Sequence, residues 1–511
     1  MAPTRDEPQQ QPLHILFLPY FAPGHLLPVA DMAALFAARG AMCTILTTPV
    51  NADIIRPAVD RANDANLHVA DSQKVVISVL PFPDVGLPPG MENMKSITPS
   101  HGVAYIVKFV HAAQLLREPF DLFLATSRPR VDAVVTDSFF AWSADTAAAH
   151  GVPRLVFLGS SVFARSCSES MLRNNPLETT ANGRNDPDAL VALPGLPHRV
   201  ELRRSQMLDP ETRPEEWAFY QSSNAADERS FGEVFNSFHE LEPDYVVHFH
   251  KTLGRRAWLV GPVALASTDM PVAVEGSGCL PWLNTKPAGS VVYVSFGTLT
   301  SFSIAERREI ARGLALSGKN FVWVLGGSDD DPPEWTPEGF AELTGNNNRG
   351  FLVRGWAPQT VILNQPALGG FVTHCGWNSV VEAVSAGVPM VTWPRYADQF
   401  HNEKLVVEVL KVGVSLGAKD YASAMETHVV IPGEVIAGSI NRLMGDSLES
   451  NSIRNKSKEL GVKARIAVEK GGSSYDDIGR LMGELMAGRT VGVLSNIELN
   501  YGLMAGRSAR E

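Results

Sequence analysis

The sequence predicts an α/β protein made of two doubly wound, mostly parallel sheets. Three observations carry this. Short apolar runs alternate with stretches of helical spacing, the pattern of parallel strands covered by helices. The alternation stops at residues 262–281, a stretch rich in small residues, Pro and Gly, and then restarts. The chain has 511 residues, more than one compact core holds.

In chain order, HILFLP (14–19) is a buried strand, YFAPGH is a turn, and LLPVADMAALFAARG is a helix ending at Gly40. CTILTTP (43–49) completes a βαβ start. VVISVLPF, VDAVVTD and RLVFLG follow as strands, with AWSADTAAAHG as a helix. We place a first domain at 1–261 and a linker at 262–281. A second α/β domain, 282–470, opens on SVVYVSFG and a helix from Ile304 to Gly318. NFVWVLGG, GFLVRGW, GGFVTHCG and PMVTWP are its further strands, and KLVVEVLKVG reads as a helix. A last helix, 471–487, is expected to pack back on the first domain. The tail, 488–511, has no strong pattern.

Lys plus Arg number 44 against 55 Asp plus Glu, a net charge of −11. Nucleic acid and anionic membranes need a basic field, so neither is expected as a partner. The four cysteines, Cys43, Cys167, Cys279 and Cys375, form no CxxC pair. They support neither a disulfide framework nor a zinc site. MAPTRDEPQQQP is polar, and no apolar run approaches the roughly 18–20 residues that span a bilayer. A soluble, cytoplasmic monomer is expected.

Chemistry concentrates in GFVTHCGWNSVVEAVSAGVP (370–389), where a strand hands over to a helix. Ser379-Val-Val-Glu382 fits a capping box and could do no more than close the helix. The other reading is a phosphate seat. The helix N-terminus offers free N–H groups and partial positive charge, Gly376 allows close approach, and His374, Asn378 and Ser379 add donors. Trp356, Gln359, Asp398 and Gln399 flank the seat, and Thr298 follows another strand.

The 44 residues from Trp356 to Gln399, WAPQTVILNQPALGGFVTHCGWNSVVEAVSAGVPMVTWPRYADQ, resemble the signature box of the plant secondary-product UDP-glycosyltransferases, without a gap. The likeness extends from PYFAPGH to the helices before residue 487. It implies two facing Rossmann-like domains with a cleft between them, the GT-B architecture. It implies that Trp356 stacks on uracil and that the Ala357 backbone meets the uracil edge. Gln359 and Glu382 would hold the ribose, while His374, Asn378, Ser379 and Thr298 would bind the diphosphate. Trp377 belongs to the same donor set. Asp398 and Gln399 would bond the sugar hydroxyls, and Gln399 favours glucose.

His25 follows Pro23-Gly24 and is expected just before a helix, whose N-terminus would keep the imidazole neutral. Asp137 ends another strand, and a carboxylate there could fix the tautomer of His25. Either residue could instead serve only as a cap. The family carries its base and acid in matching P-x-x-x-GH and D-x-F segments. By that resemblance His25 takes a proton from an acceptor hydroxyl as it attacks the sugar, with inversion to a β-glucoside.

Acceptor contacts are expected from the loop at 81–94, through Glu92, and from 157–171, through Ser160 or Ser161. The acceptor would be a flavonoid, other phenolic, terpenoid or hormone. Asp329, Asp330 and Asp331 read as a solvated loop; no metal and no cofactor beyond the UDP-glucose co-substrate is expected. Arg395 stands where relatives carry an apolar residue or His, so it could favour an acidic sugar or acceptor, or point to solvent. Rival readings are transfer of another sugar, such as galactose or glucuronate, a silent sugar-nucleotide-binding protein, and a dinucleotide oxidoreductase. The last lacks a G-x-G-x-x-G opening its first helix.

Overall fold

The computed structural model describes residues 11–65, 74–179, 186–265, 278–325, 335–345, 348–422 and 428–489. The middle of the expected linker, Asp329 to Asp331 and nearly all of the tail lie outside these residues.

Nine strands form in the first half: β1 (His14–Leu18), β2 (Met42–Thr47), β3 (Val75–Val79), β4 (Ala133–Asp137), β5 (Arg154–Phe157), β6 (Leu190–Leu193), β7 (Val200–Arg203), β8 (Gly232–Phe235) and β9 (Ala257–Leu259). Seven of them make one parallel sheet in the order β3-β2-β1-β4-β5-β8-β9, and β6 and β7 pair as a separate antiparallel hairpin. β1 is buried along its whole length because both sheet faces are covered. Ile15 and Phe17 enter one apolar cluster, and Leu16 and Leu18 enter another.

The second half supplies β10 (Val291–Ser295), β11 (Asn320–Val324), β12 (Gly350–Val353), β13 (Leu368–Thr373), β14 (Met390–Thr392) and β15 (Gly413–Ser415). Their order is β12-β11-β10-β13-β14-β15, all parallel. The two sheets define an N-lobe and a C-lobe of the same design. In each, strand order reverses beside the first strand, between β1 and β4 and between β10 and β13. Ligands of doubly wound sheets bind at such switch points.

Residues 473–489 form a helix that returns to the N-lobe. Its Ile478, Leu481 and Leu485 are buried among β1 and its covering helices. Asp477 accepts the amide of Leu259, and the Arg39 guanidinium lies 3.4 Å over the Tyr475 ring. Among the described residues no helix is long and apolar enough to cross a membrane.

Candidate active site

His25 lies in the third position of the helix Pro23–Ala37, within its first turn rather than before it. That helix leaves the carboxyl end of β1. Asp137 is the last residue of β4, the neighbour of β1, with Leu18 opposite Thr136. Adjacent strand ends therefore bring together groups 112 residues apart, and His25 Nδ1 meets Asp137 Oδ2 at 2.6 Å. The other Asp137 oxygen accepts the Phe139 amide at 2.9 Å, which fixes the carboxylate. Burial lowers the His25 pKa, but the charge and hydrogen bond of Asp137 and the charge of Asp398 outweigh it, so the net shift is upward. This corrects the expectation drawn from the helix N-terminus: a contacting carboxylate acts more strongly than a partial helix charge.

The opposing seat follows β13. His374, Cys375 and Gly376 make the turn, and the helix Trp377–Ala386 starts at once. Cys375 has φ 64°, an uncommon conformation for a residue with a side chain. Its amide donates to Thr373 Oγ1 and its carbonyl accepts Asn402 Nδ2, which hold it there. The His374 ring is wedged between two glycines. A Cβ on Gly297 would come within 2.9 Å of the ring, and one on Gly376 would overlap Nε2. Burial takes the His374 pKa down to about 4, so the ring is neutral.

The capping-box reading of Ser379 and Glu382 fails. The N-cap is Gly376, no side chain caps the helix, and Ser379 lies in its third position. Ser379 Oγ and Glu382 Oε2 instead accept from Gln359 Nε2, at 2.9 and 2.7 Å. Burial lifts the Glu382 carboxyl to about 7.

A cavity of about 580 Å³ joins the two sites. Its lining includes His25 from the N-lobe and Thr298, His374, Asn378, Ser379, Glu382, Asp398 and Gln399 from the C-lobe. A smaller inner cavity of about 130 Å³ adjoins it, and His25, Gly159 and Asp398 line both. Trp356 stands 71% exposed and Ala357 is half-buried in the same segment, which reaches the cavity wall at Thr360 and Val361.

Several expected contacts are spent differently. Trp377 is buried, and its indole donates to the Asn236 carbonyl in the N-lobe at 2.8 Å. Asn378 Nδ2 donates to the Gly24 carbonyl at 2.7 Å. Both side chains thus bolt the lobes together. Ser160 Oγ donates to Asp398 Oδ2 across the cleft at 2.8 Å. Ser161 is fully buried, caps the helix Val162–Asn174 and donates to Asn402, so it is no acceptor contact. Glu92 lines neither cavity; its carboxylate accepts the Val50 amide in the first turn of the helix Pro49–Ala65. Arg395 neither reads a ligand nor points to solvent. It is buried, pairs with Glu306 at 2.7 Å and lies over the Phe302 ring. Gln399 Oε1 accepts the amides of Arg395 and Tyr396, which sets its orientation.

Sequence reasoning missed the inner cavity's Phe139, Tyr220, Met207, Leu208, His401 and Tyr421. They come from five separate segments, and no local pattern links them.

A histidine–carboxylate pair on one lobe faces a strand-to-helix turn on the other across a shared cavity, an arrangement that fits a two-lobed transferase. The comparisons with known proteins give the family. Residues 274–434 match the family of UDP-glucoronosyl and UDP-glucosyl transferases. The chain is 39% identical to the anthocyanin 3'-O-beta-glucosyltransferase of Gentiana triflora, over 93% of this chain and 98% of that one. It is also 39% identical to the scopoletin glucosyltransferase of Nicotiana tabacum, with the same coverage. The solved structure of Glycyrrhiza uralensis UGT73P12 complexed with glycyrrhetinic acid 3-O-monoglucuronide superposes with a TM-score of 0.87. It is 36% identical, over 96% of this chain and 99% of that one. The chain belongs to the plant UDP-glycosyltransferase family. It is a UDP-glycosyltransferase of GT-B architecture that transfers a sugar to small-molecule acceptors.

Proposed function

We propose that the enzyme moves glucose from UDP-glucose to a hydroxyl of a small, largely apolar acceptor, with inversion to a β-glucoside. The observation that carries this reading is the place of His25. It borders both cavities, and Asp137 holds its Nδ1, which leaves Nε2 for the acceptor proton. The acceptor would lie in the inner cavity and the donor in the larger one. As the hydroxyl oxygen attacks the anomeric carbon, His25 takes its proton and Asp137 stabilises the imidazolium. The bond to the diphosphate breaks on the opposite face. Charge growing on UDP meets the N-terminus of the Trp377 helix, neutral His374, Ser379 and Thr298.

In the same reading Trp356 covers uracil and the Ala357 backbone meets its edge. Glu382, oriented by Gln359, receives the ribose hydroxyls, and Asp398 and Gln399 receive those of the sugar. Gln399 and the glucosyltransferase relatives support glucose over other sugars. The anthocyanin and scopoletin relatives support a phenolic acceptor. No metal is assigned a step, so full activity in a chelator is expected. The main test is His25→Ala with UDP release as readout. It should bind UDP almost normally and lose about 10²–10⁴-fold in turnover. Retained turnover would overturn the assignment and leave a sugar-nucleotide-binding role for the seat.

A further inference from the structure

We propose that His401 and Ser223 form a polar subsite in the inner cavity. It takes a second, neutral hydroxyl or carbonyl of the acceptor, distinct from the hydroxyl that reacts at His25. This rests on the reading of that cavity as the acceptor site.

His401 comes from the C-lobe, in the short helix Gln399–Lys404, and Ser223 from the N-lobe helix Pro214–Glu228. Both line the inner cavity, and they are only 7% and 3% exposed. Among the described residues neither His401 Nδ1 nor Ser223 Oγ has a hydrogen-bond partner. Ser223 is unusual for this chain. Other buried helical serines have partners: Ser166, Ser385 and Ser457 turn back onto the carbonyl four residues earlier, Ser170 donates to the Pro194 carbonyl and Ser379 accepts from Gln359. A polar group withdrawn from water without a partner forfeits its hydration, so two at one cavity call for an explanation. Both atoms are closed to water in the free protein, so a ligand group that turns these side chains towards the cavity and supplies the partners is one.

Four other polar side chains there, Gln206, Tyr421, Asp398 and Arg165, are already engaged. Gln206 bonds at both ends, to the Arg203 amide and the Ala418 carbonyl. The Tyr421 hydroxyl donates to Glu216, and Asp398 accepts from Ser160. Arg165 is held by Asp227 and Glu233. That ion network sets Arg154, Arg165, Arg173 and Arg255 against Glu169, Asp227, Glu228 and Glu233, four charges against four. It offers no net positive charge to an anion, and Asp398 borders the cavity. Burial takes the His401 pKa down to about 4, so at neutral pH the ring has one donor and one acceptor. That pair suits a hydroxyl or carbonyl. The rest of the wall, with Leu158, Met171, Leu172, Met207, Leu208 and Phe400, suits an apolar skeleton.

The test uses matched phenols on stilbene, flavone and coumarin skeletons, with UDP-glucose as donor. Each skeleton keeps one reactive phenol and carries hydroxyl, methyl or carboxylate at its far end. On the skeletons that react, kcat/KM should favour hydroxyl over methyl by about tenfold or more, with carboxylate the poorest. His401→Phe and Ser223→Ala should each bring the hydroxyl-to-methyl ratio towards one. They should leave kcat/KM for the methyl compounds and KM for UDP-glucose within about twofold. His401→Asn should keep part of the preference. Equal losses on hydroxyl and methyl compounds would show a packing role and overturn the subsite. A native ratio near one, or a preference for carboxylate, would overturn it too. Should His401→Phe not fold, Ser223→Ala reads the same ratio. Transfer to no skeleton at all would instead overturn the acceptor-site reading beneath it.

Discussion

At the residue scale, two groups have their protonation set by the fold. His25 must be neutral to accept a proton, and its pKa is raised, so activity should fall as pH drops through that raised value. Asp137→Asn removes the largest raising influence. The acid limb of kcat/KM should then move to lower pH while turnover drops about 10²–10⁴-fold. An acid limb that stays put would remove Asp137 from this role. Glu382 is the second group. Ribose hydroxyls donating to it would favour its ionised form, but in the free protein its carboxyl is raised to about 7. Below that value, donor binding must expel a proton. UDP-glucose affinity should therefore rise between pH 6 and 8, by no more than tenfold per pH unit. Titration calorimetry in buffers of different ionisation enthalpy reads this directly, and Glu382→Gln should flatten the dependence.

At the scale of elements, loops are fixed by partners on other elements. Ser303 and Glu306 form a capping box at the start of the helix Ile304–Ser317, and Glu306 also binds Arg395. One carboxylate thereby ties the segment after β10, which carries Thr298, to the segment after β14, which carries Asp398 and Gln399. Arg395→Met would leave Glu306 buried without its cation, at a cost of about 3–5 kcal/mol. Arg395→Met with Glu306→Gln keeps the box and removes both charges, so it should cost much less. Denaturant melts of the two variants decide this; equal losses would mean that packing, not charge pairing, is what Arg395 supplies.

At the scale of the molecule, the lobes are joined through Trp377, Asn378 and Ser160 and through the returning helix 473–489. Burying Ile478, Leu481 and Leu485 is worth roughly 5–9 kcal/mol, at about 1.5–3 each. A typical domain has only about 5–15 kcal/mol in total. Truncation after residue 472 should leave the N-lobe unfolded or aggregated, with loss of its cooperative melt in circular dichroism. A soluble, active truncation would show that the helix is dispensable.

The doubly wound α/β design could be read from the chain because β1, β4, β10 and β13 are continuous apolar runs, which burial on both faces demands. The strand-to-helix handover at 373–377 was equally legible, since it is local. β8, β9 and β15, at three or four residues, are too short to show a period, and so Asn236 beyond β8 escaped notice. The fates of Arg395, Trp377 and Ser161 were also hidden, because each depends on a partner far along the chain; Ser160 and Asp398 are 238 residues apart. Residue type and spacing determined which chemistry the chain carries. Only the tertiary structure decided which of those groups face the cavities and which are spent on holding the lobes, because a hydrogen bond or ion pair depends on distance in space and not on separation in sequence.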